Sequence, residues 1–337
     1  MCLTFFGFTN NNTFFLIFNR DEFLSRETLP LNKYEYNNDI YYSKDIITQG
    51  TFCAINIKFG NFCFLLNHSN QYLPFNPEAK LKRGLLPLEF CEIEMDLKEE
   101  DYSSHNDKFA KFFSELEQRK EGYNGFNLVC GNLLSKLVYY YSNNTGYLTE
   151  NKIDKTLPIL LNSKDTVYGV GNYSIFQEVN KISLGVHAIT NLLESGECED
   201  NELFSLMRKN NLLGDNINFT DIDFNSIIKA KSSNENSNNE EIIIDFRGDS
   251  SFKEQYVSSI FVNDNILNGK YFTEYGTRQC ILMKYTYNDS KLIVKEKFGE
   301  ILALPGNTLY LNTNEFFDDE KHNSFAFTVP NAVYNNN

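Results

Sequence analysis

The chain has 337 residues, 42% of them hydrophobic and 15% aromatic, enough to bury a substantial core. Its 31 Lys and Arg against 45 Asp and Glu leave a net charge of −14, which argues against nucleic-acid binding and against adhesion to anionic membranes, since both need clustered cations. No stretch is long and apolar enough for a transmembrane helix, and the N-terminus lacks the basic region of a signal peptide and the Arg-rich character of a transit peptide.

The first stretch, Met1–Arg26, reads as two apolar strands, Cys2–Phe8 and Thr13–Phe18, joined by a polar turn over Thr9–Asn12. The second strand runs into Asn19-Arg20-Asp21-Glu22. Cys2 follows Met1 directly, and a small second residue permits co-translational Met removal, so the mature chain is expected to begin with Cys2. In an antiparallel hairpin the Arg20/Asp21 end returns beside residue 2, bringing together a thiol, an α-amine, a guanidinium and a carboxylate.

Phe23–Ile40 is expected to be loop, with a short strand at Ile40–Ser43. Thr51–Ile57 and Asn61–Leu66 form a hairpin pattern that ends in the polar cluster Asn67–Asn70. Glu78–Ile93 and Asn106–Lys120 have helical spacing, with Phe109, Phe112, Phe113 and Leu116 on one face. Gly125–Leu133 and Lys136–Ser142 make another hairpin, then a turn-rich segment runs over Asn143–Asp154. Thr166–Asn172 reads as a strand ending in a tight corner, and Gln177–Leu193 and Asn201–Asn211 as helices. Residues 231–241 are a low-complexity insertion expected to be disordered. Tyr256–Val262, Arg278–Tyr287, Leu292–Phe298 and Phe325–Val329 read as strands, with 331–337 a disordered tail. The order of strands and helices suits an α+β fold, two antiparallel sheets packed together with helices outside, in one domain over 1–330.

Seven scattered cysteines without a CxxC, and four histidines without paired-ligand spacing, predict neither a disulfide framework nor a structural zinc site. That usage predicts a reducing compartment, the cytoplasm. Cys2 apart, the cysteines are expected to be inert core residues, and His68 and His187 satisfied polar groups rather than ligands.

MCLTFFGF followed by FNRDEFLSR, then YNGFNL at Tyr123–Leu128, YGVGN at Tyr168–Asn172 and YGTR at Tyr275–Arg278, resembles the NRDE family, the transport and Golgi organization protein 2-like proteins. That family in turn resembles the N-terminal-nucleophile hydrolases, especially cysteine amidases, which implies a four-layer αββα sandwich. The resemblance implies Cys2 as nucleophile with its α-amine as base, Arg20 against the sulfur and Asp21 against the amine. Asn67 and Asn172 would be oxyanion donors, and Arg278 would orient the site or the leaving group. A guanidinium beside the thiol would bring it down toward neutrality. The family's Gly-Gly-Thr-Trp segment is Gln49-Gly50-Thr51-Phe52 here, so substrate preference would differ if that segment lines the pocket. The insertion and the extra residues around Asn263–Thr273 are further departures.

Each residue also has an unreactive reading. Cys2 can be a small buried hydrophobe, Arg20–Asp21 an ion pair capping the hairpin, and Asn67 and Asn172 turn residues. Arg278 can close the sheet by pairing with Asp21 or Glu22. The resemblance implies two functions: an amidohydrolase or thioesterase, or a non-catalytic protein that carries a small hydrophobic or acylated ligand, haem or acyl-CoA. The family is associated with Golgi organisation, secretion, lipid homeostasis and haem mobilisation between compartments, so association with Golgi or mitochondria is implied, and a purely structural role in secretion is a third reading. No catalytic cofactor is expected, haem being a carried ligand only, and no CxxCH motif assigns its ligation.

Overall fold

The structure, a computed structural model, describes residues 2–9, 11–68, 75–97, 103–153, 157–161, 163, 166–196, 199–208, 275–298 and 323–329, and the backbone of 229–231, 241–243, 300–303 and 309–312. The strands are β1 (Leu3–Thr9), β2 (Thr13–Phe23), β3 (Thr28–Tyr34), β4 (Asn37–Asp45), β5 (Thr51–Asn56), β6 (Asn61–Asn67), β7 (Phe126–Asn132), β8 (Leu137–Ser142), β9 (Ile159–Leu160) and β10 (Val167–Val170). After them come β11 (Lys229–Lys231), β12 (Glu241–Ile243), β13 (Tyr275–Thr286), β14 (Lys291–Phe298), β15 (Glu300–Ala303), β16 (Leu309–Asn312) and β17 (Asn323–Thr328). The helices are α1 (Leu86–Cys91), α2 (Ser103–Arg119), α3 (Gly146–Glu150), α4 (Asn180–Ser195) and α5 (Asp200–Met207).

Two antiparallel sheets hold most of the strands. One has six in the order β10-β1-β2-β13-β14-β17, the other seven in the order β3-β4-β5-β6-β7-β8-β9. Side chains that alternate along each strand separate three apolar layers. Phe6, Phe14, Leu16 and Phe18 from the first sheet meet Ile55, Phe62, Phe64 and Tyr140 from the second, forming the core between the sheets. The opposite face of β1 and β2, with Leu3, Phe5, Phe15 and Ile17, packs on Ile189 of α4 and Leu203, Phe204 and Met207 of α5. The far face of the seven-stranded sheet packs on Phe90 of α1 and Phe109, Phe112, Phe113 and Leu116 of α2. The result is the expected α+β sandwich with helices on both outer faces.

Local chemistry explains where elements differ from expectation. Glu78–Ile93 is not one helix, because Pro87 lacks an N–H and starts α1 instead of sitting inside it; a single 3₁₀ turn, Arg83–Leu85, precedes it. Phe23–Ile40 is not loop. β2 runs on to Phe23 because β13 pairs with it as far as Tyr275, and β3 adds an edge strand with Leu31 buried. The turn-rich segment holds α3, and β9 arises where none was expected. The expected strand Tyr256–Val262 and the tail 331–337 lie outside the described residues. So does most of the insertion 231–241, although its end residues Lys231 and Glu241 pair across β11 and β12.

Candidate functional site around Cys2

The β1–β2 register pairs Leu3 with Asn19, which sets Cys2 beside Arg20 at the same end of the sheet. Cys2 is buried, and its Sγ donates to the Asp21 carbonyl at 3.6 Å. The four residues Asn19–Glu22 divide their work by strand alternation. Asn19 Nδ2 donates to the Met207 carbonyl at 2.9 Å, tying β2 to the end of α5. Arg20, on the inter-sheet side, reaches Asp45 at 3.2 Å and Glu22 at 3.6 Å, and its guanidinium lies 5.3 Å from the centre of the Phe52 ring. Asp21 Oδ1 accepts the Thr277 hydroxyl at 2.6 Å. Glu22 is bridged by Arg26 at 3.1 Å, and Arg26 also meets Asp45 at 2.7 Å.

The expected Arg20–Asp21 ion pair is therefore replaced by Arg20–Asp45 and Arg20–Glu22. Neighbours along one strand point to opposite faces, so residues 20 and 21 reach different partners. Arg278 does not close the sheet through Asp21 or Glu22 in the way expected. Its Nη1 donates to the Phe23 and Arg26 carbonyls, stapling the chain that leaves β2. The β-bulge between Thr277 and Gln279 turns Arg278 to that task.

Asn67 ends β6, and Asn172 follows β10. The structure links their neighbours through one buried side chain, Asn127 of β7. Asn127 Nδ2 donates to the carbonyls of Gly171 (2.9 Å) and Tyr173 (2.8 Å), while its Oδ1 lies 3.0 Å from both His68 Nδ1 and the Tyr140 hydroxyl. His68 is satisfied also by Ser142 at 3.0 Å, and burial pushes its imidazole down to about 4, so it stays neutral. Gly171 lies against the Cys2 backbone: a Cβ there would sit 3.7 Å from the Cys2 carbonyl and 3.3 Å from Leu3. Asn172 is thus one residue from a direct contact with the Cys2 strand, and its Oδ1 is a buried acceptor with no hydrogen-bond partner.

Burial pushes the Cys2 thiol up, and Asp21 adds to this; the terminal ammonium, Arg20 and the Asp21 backbone pull the other way without offsetting it. The expectation of a thiol drawn down toward neutrality is reversed, because desolvation of a buried thiolate outweighs one guanidinium already paired with two carboxylates. Burial likewise raises Cys53, Cys63, Cys91 and Cys280. Cys198 lies outside the described residues.

The family model of Transport and Golgi organisation 2 matches residues 1–298. The chain belongs to that family. Comparison with curated proteins finds no match. The motifs that marked the family become one connected site: Thr277 of YGTR holds Asp21 of NRDE, and Asn127 of YNGFNL holds the corner of YGVGN. The altered segment Gln49–Phe52 also belongs here. Gly50 packs on Gly84, where a Cβ would lie 2.9 Å from backbone. Phe52 takes the aromatic place beneath Arg20 and stacks on Phe18 at 5.3 Å.

Three contributors had no signal in the sequence. Asp45 ends β4 and accepts from two arginines. Arg83, half-buried beside α1, donates to the Gly125 carbonyl, and its charge reaches Glu22 and Cys2; burial lowers it to about 10. Lys181, in the first turn of α4, is 2% exposed and electrostatically coupled to Asp21 and Cys2. A groove of about 620 Å³ between α2 and β8, lined by Phe113, Tyr139, Leu157 and Pro158, opens on the outer face of the other sheet and shares no residue with this site.

Proposed function

We propose that this family member is an N-terminal cysteine hydrolase of amides or thioesters, active once Met1 is removed. The observation that carries the reading is the hairpin register that sets Cys2 beside Arg20 and Asp21, with Sγ 3.6 Å from the Asp21 carbonyl. In the reaction Cys2 Sγ attacks the acyl carbon and the thiol proton passes to the α-amine of Cys2, a group with a pKa near 7.7. Asn67 and Asn172 donate to the oxyanion, each worth about 10²–10³ in rate if it follows known hydrolases. The carbon–nitrogen or carbon–sulfur bond then breaks, the leaving group takes the proton, and water releases the acid from the thioester. Arg20 ties the end of β2 to Asp45 and Glu22, and Arg278 ties the chain leaving β2 through the Phe23 and Arg26 carbonyls.

A second reading is supported by the burial that raises the Cys2 thiol: a site kept for binding a haem or acyl-CoA ligand within Golgi-related transport, without turnover. One experiment separates them. Intact mass reports Met1 removal, and the pH dependence of alkylation compares Cys2 with Cys91. A trimmed chain whose Cys2 reacts well below Cys91 in pH, and which hydrolyses acyl p-nitroanilides or thioesters, fits the hydrolase. A Cys2 no more reactive than Cys91, with saturable haem or acyl-CoA binding that survives Cys2→Ala, fits the carrier.

A further inference from the structure

The Cys2 end of the sandwich is lined by side chains from both sheets. At that end of the seven-stranded sheet β4 finishes at Asp45, β5 starts at Thr51, β6 finishes at Asn67 and β7 starts at Phe126. Two contacts join it to the end of the six-stranded sheet that holds Cys2. They are Arg20 to Asp45 at 3.2 Å, and Asn127 Nδ2 to the Gly171 carbonyl at 2.9 Å. Arg83 lies along this rim. The next residue, Gly84, packs on the start of β5, its Cβ position 3.2 Å from Gly50 Cα and 3.3 Å from the Thr51 nitrogen. Arg83 Nη1 donates to the Gly125 carbonyl, the same oxygen that accepts the His68 N–H at 2.9 Å. The guanidinium is thereby held at the end of β6, one residue from Asn67.

The carboxylates at this end are engaged elsewhere. Arg20 and Arg26 divide Asp45 and Glu22 between them, and Asp21 accepts the Thr277 hydroxyl. Among the described residues no carboxylate lies within ion-pair distance of Arg83, and its bond to Gly125 uses one of five N–H donors. Arg83 is part-buried, and burial, with Arg26 adding to it, brings it down to about 10, as expected of a guanidinium that has lost water without gaining a counterion. A second donor at the same end is also open. Arg20 is 4% exposed, its Nη2 serves Asp45 and Glu22, and its buried Nη1 has no hydrogen-bond partner. In a chain of net charge −14, two guanidiniums with unused donors at one rim form a local attraction for an anion.

We propose that Arg83 selects acyl compounds whose leaving group carries an anion, a carboxylate or a phosphate, by holding that anion with its unused N–H groups. This rests on the hydrolase reading and names its substrate class. The acyl chain is the apolar half of such a substrate, and Cys2 shares its apolar layer with Phe18, Phe52 and Phe64. The polar half stays at the part-exposed rim, where Arg83 stands. A planar guanidinium fork matches the paired oxygens of a carboxylate or phosphate, so Arg83 determines specificity without touching the reacting atoms.

The test compares kcat/KM of the full processed chain on two pairs of amides that share one acyl group. N-octanoylglycine is set against N-octanoylglycinamide, and N-octanoyl phosphoethanolamine against N-octanoylethanolamine. The anionic member of at least one pair should be favoured by roughly tenfold or more, and Arg83→Met should bring that ratio close to one. Which pair shows the preference separates a carboxylate from a phosphate. Turnover without preference for either anion, or a preference that Arg83→Met leaves intact, overturns the proposal and leaves the hydrolase standing. No turnover of any of the four by the unsubstituted chain overturns both. If Arg83→Met hydrolyses none of them, calorimetry in the Cys2→Ala background reads the same ratio as binding. There an anion preference that disappears with Arg83→Met supports the proposal, and one that persists overturns it. If Arg83→Met does not melt cooperatively, Arg83→Gln replaces it with the same expectation.

Discussion

Glu296 offers the sharpest test of how this sandwich holds its polar interior. It points from β14 into the layer between the sheets, fully buried, and receives donors from both of them. Leu31 N–H of β3 donates to its two oxygens at 3.0 and 2.8 Å, Ser43 of β4 at 3.2 Å and Asn323 of β17 at 3.3 Å, with Gln279 of β13 also bonded. Burial still dominates and pushes the carboxyl up from 4.5 to about 7. Between those pH values the folded chain holds a proton that the unfolded chain has released. The associated stability, about 3 kcal/mol, is fully present below pH 4.5 and lost as pH rises through 7. His68 acts in the opposite sense. Its imidazole falls from 6.5 to about 4, so its contribution, again about 3 kcal/mol, is present above pH 6.5 and lost as pH falls toward 4. In the overlapping window the two slopes oppose, and the wild-type chain should be nearly flat with respect to this pair. Glu296→Gln removes one slope. On going from about pH 6.5 to about pH 4.5, the variant should lose about 2 kcal/mol more than the wild type. Urea unfolding at several pH values across that window measures the difference, with all other titrations cancelling. Parallel pH profiles for the two proteins would refute the reasoning.

Three further outcomes follow from single contacts. Gln49 has a φ of 59°, in the left-handed region that glycine prefers, so Gln49→Gly should be about 1 kcal/mol more stable than Gln49→Ala by thermal or urea unfolding. Both variants lose the Gln49 bond to the Ile46 carbonyl, which keeps the comparison clean. Asn127→Ala removes two donors to the Gly171–Tyr173 corner and should cost about 3 kcal/mol. In hydrogen exchange, the Ile175 amide, held by the Tyr140 hydroxyl, should lose protection along with it. Thr277→Val removes the hydroxyl from the Asp21 carboxyl at equal volume, for a loss of about 1–3 kcal/mol, whereas Thr277→Ser should retain most of the stability.

Much of the architecture was present in local patterns. The apolar runs Cys2–Phe8 and Thr13–Phe18 report strands buried on both faces, and the face formed by Phe109, Phe112, Phe113 and Leu116 reports a helix and the side it buries. The turn between β1 and β2 fixes register over short range, so the meeting of Cys2 with Arg20 could be read from the chain. The family was legible because its motifs are short, contiguous and ordered, as NRDE, YNGFNL and YGTR are.

What the sequence could not decide depends on contacts between distant segments. Partner choice among charges is one example: Arg20 meets Asp45, 25 residues away, instead of adjacent Asp21, because alternation turns neighbours to opposite faces. The extension of β2 through Phe23 needed β13, more than 250 residues on in the chain. The state of the Cys2 thiol is a second example, since desolvation is a property of the packed environment and no spacing of residues encodes it. The burial of Lys181 at the start of α4 is a third, since only the packing of α4 on the six-stranded sheet removes its water. The sequence by itself determined most of the strands, the buried face of α2 and the hairpin that sets residue 2 beside Arg20. Tertiary packing decided which charges pair and which groups lose water, because those are set by three-dimensional neighbours and not by neighbours along the chain.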